Sequence, residues 1–135
     1  MSLKVDSALA LVQAALRLGV ERKMPAAVVV VDVGGRTLAS ARSEEAGFLN
    51  LVMAERKAVA SVTFKVPTHA VLDMIKADPL LLTVVGSEAT INILPGGFPI
   101  TQNGAVVGAI GIAGGHYSQD QAVGEEVLAK AAPKG

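Results

Sequence analysis

Apolar positions recur along this chain in more than one rhythm. From about Asp6 to Lys23, Val5, Leu9, Val12, Leu16 and Val20 fall at three- and four-residue steps, which predicts a helix with these five on its buried face. Arg17, Glu21, Arg22 and Lys23 gather late in it, where the basic members suit the negative end of the helix dipole, and Pro25 prevents continuation. The rhythm then breaks into an unbroken run, Ala26 to Val31, rich in β-branched residues and free of polar positions until Asp32. Such a run predicts a strand buried on both faces. Gly34-Gly35 supplies a turn, and Thr37 to Ala41 returns as the second strand of a hairpin.

A polar connection, Arg42 to Gly47, leads to a second helix from roughly Asn50 to Phe64, which stops before Pro67. Thr68 is placed to cap a third helix that reaches about Ala77 and ends at Asp78-Pro79. Leu80 to Val85 is apolar and short, and its pattern leaves strand and buried helix both open. Further on, Asn103-Gly104 sits between two apolar runs, the strongest short-range signal for a two-residue hairpin turn. The second run carries Gly108 and Gly111, positions that mark a bulge or the close approach of another backbone or a flat ligand. Ser118-x-x-Gln121 reads as a capping box with Asp120 in the first turn, opening a last helix that buries Val123 and Val127. The order is helix, hairpin, two helices, hairpin, helix. This is the pattern of an α+β domain with an antiparallel sheet and helices segregated from it.

Composition changes the picture in two ways. The 135 residues suit one domain over 1–135, and 51% of them are hydrophobic with no tryptophan, so the core is aliphatic. A domain of this size buries only about 68% of its unfolded surface. So much aliphatic content therefore predicts an exposed apolar patch and a homo-oligomer. The charge balances to zero with no basic stripe, which speaks against nucleic acid. The absence of cysteine excludes disulfides and thiolate chemistry and fits a reducing interior. No run nears the ~20 apolar residues of a membrane span and no signal peptide is evident at the N-terminus, so a soluble, cytoplasmic protein is expected.

Lys57 is the most informative side chain, because Met53, Lys57, Ala60 and Phe64 form an apolar line along the second helix. An ammonium there must snorkel out or find a partner, with Asp32 and Asp120 as candidates, and burial would move it towards the range of a base or nucleophile. Asp32 either accepts turn amides or serves as a catalytic carboxylate, and Arg42 is either an anion clamp or a solvated loop residue. His116 and Tyr117 follow Gly114-Gly115 at a helix N-terminus, where loop residues often face a ligand. His69, beside Thr68, is placed for exposure. Two histidines without carboxylates at ligand spacing make no metal signature, and no phosphate loop, dinucleotide fingerprint or nucleophile elbow is present.

Taken together, several pieces resemble the haem-degrading-domain family, which includes the glycolate-operon GlcG proteins, the haem-binding HbpS proteins and the C-terminal domain of PduO. They are Val30 to Ala39 followed by Arg42, Ala54-Glu55-Arg56-Lys57-Ala58, Pro67-Thr68, Gly96-Gly97-Phe98-Pro99-Ile100, Gly104, Val107 to Gly111, and Gly114 with Gln119-Asp120. They run in the family's order over nearly the whole chain. The resemblance implies a profilin-like domain with a five-stranded antiparallel sheet flanked by helices, assembled into dimers or larger symmetric oligomers, often octamers. It also implies haem as a ligand, with Thr68 the best match to a threonine implicated in its binding and Thr63 near it. Haem-binding relatives can ligate iron from a histidine on the first helix, and residues 1–25 contain none.

Three functions follow as expectations. The first is a small-molecule-binding protein holding haem or another flat organic ligand, with Arg42, Thr68, Gly108, Gly111 and Gly114 around it. The second is a cofactor-independent isomerase or lyase acting on a small carboxylate or hydroxy acid, with Lys57, Asp32, His116 and Tyr117 as its acid–base groups. The third is an oligomeric scaffold without a ligand.

Overall fold

The computed structural model describes residues 2–131. Five α-helices, a 3₁₀ turn and four strands follow one another: α1 (Val5–Glu21), β1 (Ala27–Asp32), β2 (Thr37–Arg42), α2 (Phe48–Phe64), α3 (Thr68–Ala77), the turn at Pro79–Leu81, α4 (Leu82–Ser87), β3 (Gly97–Gln102), β4 (Ala105–Ala113) and α5 (Tyr117–Ala131). The strands form one antiparallel sheet in the order β2-β1-β4-β3. The α+β architecture is as the sequence implies, but the sheet has four strands among the described residues, not five. The segment between α3 and β3 adds no strand to it; it coils into the 3₁₀ turn and α4.

The unbroken apolar run becomes β1 because its two faces are covered by different layers. Val28 and Val30 point towards α1 and α5, while Ala27, Val29 and Val31 point towards α2. The β3–β4 turn is at Asn103-Gly104, with φ of 51° and 80°, the left-handed pair that a type I′ hairpin requires. β3 is an edge strand, and Pro99 within it withholds a donor that an interior strand would need.

Helix α1 packs with a different face from the one its strongest hydrophobics suggest. Ala8, Leu11, Val12, Ala15, Leu18 and Gly19 are buried, whereas Val5, Leu9 and Val20 are exposed. Small residues let the helix lie close on the sheet, and close approach outweighs side-chain size. Two cap assignments also change. Pro67, not Thr68, precedes α3, and the Thr68 hydroxyl accepts a hydrogen bond from the Gly97 N–H at 3.0 Å, closing the start of edge strand β3. The box at the head of α5 is His116-x-x-Gln119 instead of Ser118-x-x-Gln121. Gln119 Oε1 accepts from the His116 N–H at 2.9 Å, and His116 Nδ1 accepts from the Ser118 N–H at 3.2 Å.

Candidate functional site

The buried polar centre lies where α2, β4 and α5 meet. Lys57 Nζ donates to Asp120 Oδ2 at 2.9 Å and to the Ile112 carbonyl at 2.9 Å, and both side chains are almost wholly buried. Asp120 Oδ1 accepts from the Gly115 N–H at 3.0 Å, which ties the carboxylate to the loop before α5. Of the two partners open to Lys57, it is therefore Asp120 that pairs. Burial pushes the Lys57 ammonium below its ordinary value and the Asp120 carboxyl above its own, and their mutual attraction opposes both shifts. Gly96 sits against the pair with φ of 128°. A Cβ there would come within 3.0 Å of Lys57 Nζ and 2.6 Å of the Ile112 carbonyl oxygen, so only glycine leaves room.

The other expected residues are distributed around the sheet. Asp32 Oδ1 accepts from the N–H groups of Gly34 and Arg36 at 2.9 and 3.0 Å and shapes the β1–β2 turn. It is paired with Gly108, while Ala27, at the other end of β1, is paired with Ala113. Five residues of strand separate the two ends, about 17 Å, so Asp32 and the Gly114–Tyr117 loop do not share a pocket. Arg42 is exposed on edge strand β2 and donates from Nη1 to the Ser43 carbonyl at 3.2 Å. His116 and Tyr117 are exposed, with ring centroids 4.0 Å apart. His69 is half-buried rather than exposed, edge-on to Phe98 at 5.9 Å. The glycines admit neighbouring backbone. A Cβ at Gly111 would collide with the Ala54 carbonyl of α2, one at Gly108 with the Val31 carbonyl, and one at Gly114, where φ is 122°, with the Pro25 carbonyl.

The space on the molecule is elsewhere. A groove of about 950 Å³ runs between α1, β3 and the end of α5, within the ~300–1,000 Å³ typical of small-molecule sites. Ser7, Ala10 and Ala14 form its wall on α1, one above another at helical spacing, and their small size opens it. Pro99 and Ile100 floor it from β3, with Val127 and Leu128 opposite on α5. Arg17 and Lys130 bring two cations to its rim against one carboxylate, Glu21. Lys130 also contacts Glu126 at 3.4 Å, whereas no hydrogen bond or ion pair engages Arg17 among the described residues. None of the expected site residues lines this groove. The signal in the sequence was the Ser7, Ala10, Ala14, Arg17 stripe, a helix face too polar and small for the core.

Comparison with known proteins adds the family. The family described as haem degrading protein HbpS-like matches residues 3–129. The chain belongs to it. Within this HbpS-like family, an uncharacterized 15.0 kDa protein from the dhaT-dhaS intergenic region of Citrobacter freundii is 31% identical over 117 residues, 86% of this chain and 82% of that protein. The corrinoid adenosyltransferase PduO of the same organism is 25% identical over 130 residues, 96% of this chain but only 39% of PduO. Among solved structures, a double mutant of HbpS from Streptomyces reticuli superposes with a TM-score of 0.88 at 28% identity, covering 98% of this chain and 89% of that one. The structure of a PduOC–haem complex superposes at 0.85 with 24% identity, covering 96% and 94%, a likeness of fold.

A tetrapyrrole can be tested against the groove on its own residues. The volume and the apolar floor suit a flat ring, and Arg17 and Lys130 suit its carboxylates. No lining residue is a histidine, cysteine, methionine or tyrosine, the side chains that usually take an axial position on haem iron. Among the described residues no group of three His, Cys, Asp or Glu could hold a metal ion, and no helix is long and apolar enough to cross a membrane.

Proposed function

We propose that this HbpS-like protein binds a flat, largely apolar, carboxylate-bearing small molecule, haem being the leading named ligand, in the groove between α1, β3 and α5. It acts within a self-associated assembly in the reducing cytoplasm. The observation that carries the reading is the groove itself. Three small residues of one helix face open it, and an arginine with no described partner stands at its rim. A bidentate contact between a carboxylate and a guanidinium is among the stronger polar interactions a rim can offer. The family description and the haem complex of a PduOC structure of the same fold support haem over other flat acids.

The acid–base alternative would require Lys57, Asp32 and His116 or Tyr117 at one pocket. The separation of Asp32 from the Gly114–Tyr117 loop, and the closed shell of partners around Lys57, weigh for binding over catalysis. Hemin titrated into the protein at micromolar concentration is expected to shift its Soret band saturably. Ala14→Leu, which fills the groove from an exposed position on α1, is expected to weaken that binding at least about tenfold by steric exclusion. Absence of a shift, or an unchanged affinity in the Ala14→Leu protein, removes the proposal.

A further inference from the structure

We infer, taking the groove reading as given, that this chain holds a tetrapyrrole by its carboxylates and ring faces and not through its metal, so that metal-free porphyrin dicarboxylates are ligands as good as haem. The lining supplies what such binding needs. There are aliphatic side chains for the ring, Arg17 and Lys130 for the carboxylates, and Ser7, Thr101 and Gln102 as further polar contacts at the edge. It supplies none of the histidine, cysteine, methionine or tyrosine side chains that hold haem iron; its one amine, Lys130, lies 3.4 Å from Glu126, and its one carboxylate, Glu21, stands beside Arg17 at the rim.

Among the described residues the histidines, the methionines and the tyrosine all lie outside the groove lining, and His69 Nδ1 is buried without a hydrogen-bond partner. His116 stands eleven residues before Val127 on the axis of α5, about 16 Å from the groove end of that helix. Its Nδ1 accepts from the Ser118 N–H, an obligatory donor, and lies 2.8 Å from Ser118 Oγ, so the neutral ring carries its proton on Nε2. Neither nitrogen then offers a lone pair to a metal unless the cap of α5 opens. His69 lies against Phe98, and neither residue lines the groove. Met24 is buried beneath Gly115, and Met53 Sδ lies 3.0 Å from Asn92 Nδ2.

The test compares two probes on the full chain, hemin and metal-free protoporphyrin IX, followed by absorbance and porphyrin fluorescence. The expected result is a dissociation constant for protoporphyrin IX within about threefold of that for hemin, and mutual displacement at a single site. Arg17→Gln is expected to weaken both probes by the same factor, about tenfold, because the lost contact is to a carboxylate common to both. The bound hemin should keep a high-spin spectrum without a strong protein ligand. A six-coordinate, low-spin hemin complex, or protoporphyrin IX binding about a hundredfold more weakly than hemin, overturns this inference and leaves the groove reading standing. Failure of both porphyrins to bind removes the groove reading and this inference with it.

Discussion

Taking Lys57 and Asp120 out of water penalises both charges, and their attraction returns part of that penalty only while both are present. Lys57→Met should therefore cost about 3–5 kcal/mol, the usual range for an orphaned buried charge. Lys57→Met/Asp120→Leu should be less damaging than Lys57→Met alone, since no unpaired charge remains. Its residual cost comes from the Ile112 carbonyl and the Gly115 N–H, which lose their partners. Urea denaturation of the three proteins checks the order, and a double variant weaker than the single would refute it. The pH dependence follows from the Asp120 carboxyl, whose folded value burial raises. A raised acid makes the folded state bind the extra proton, so its favourable contribution is complete below the unfolded value of about 3.9 and is lost as pH climbs through the folded one. Without the ammonium the folded value climbs further. The stability gap between wild type and Lys57→Met should thus widen from about pH 4 towards pH 7, and a constant gap would contradict this account.

At the level of elements, the contact between α2 and β4 is set by what β4 lacks. Ala54 and Ala58 of α2 lie on Gly111, where a Cβ would stand 2.8 Å from the Ala58 nitrogen and collide with the Ala54 carbonyl. Helix and strand therefore meet backbone to backbone, and the helix has no flexible side chain there to yield. Gly111→Ala should destabilise by about 3 kcal/mol or more, read by thermal unfolding. Gly47→Ala, with nothing within 4 Å of its added Cβ, should change stability by less than about 1 kcal/mol. Gly111 was legible in the sequence as a close approach, and backbone or flat ligand was open until α2 was seen to occupy it. Strand β1 and both hairpin turns were legible because their signals are local: a β-branched run, Gly34-Gly35, and Asn103-Gly104. The packed face of α1 was not, because Ala8 and Ala15 carry weak hydrophobicity and act by being small. The groove was hidden for a related reason. Empty space has no residue of its own, and only the small stripe of Ser7, Ala10 and Ala14 hints at it.

For the molecule as a whole, the segment from Pro79 to Ser87 shows why its pattern could not be resolved from sequence. It is helical, packs chiefly on α3, and leaves Leu80 76% exposed, Val84 63% and Leu82 54% exposed, with only Val85 buried. Residues of this kind are core by composition, yet nothing among the described residues covers them. A second copy presents the same surface at the same concentration, and a self-complementary contact about a twofold axis is the simplest way to cover it. Sedimentation velocity of the wild-type protein should therefore give a multiple of the 13.7 kDa protomer. Leu80→Glu/Leu82→Glu places two carboxylates in the contact and should shift that species to a monomer. The fold should persist by circular dichroism, because these side chains contribute little inside their own subunit. An assembly unchanged by the double substitution but broken by Val20→Lys would move the contact to the exposed stripe of α1, where Val5, Leu9 and Val20 lie. The groove is lined within one subunit by α1, β3 and α5, so the monomeric variant should still bind hemin. Loss of hemin binding together with assembly would mean that the neighbouring copy completes the site.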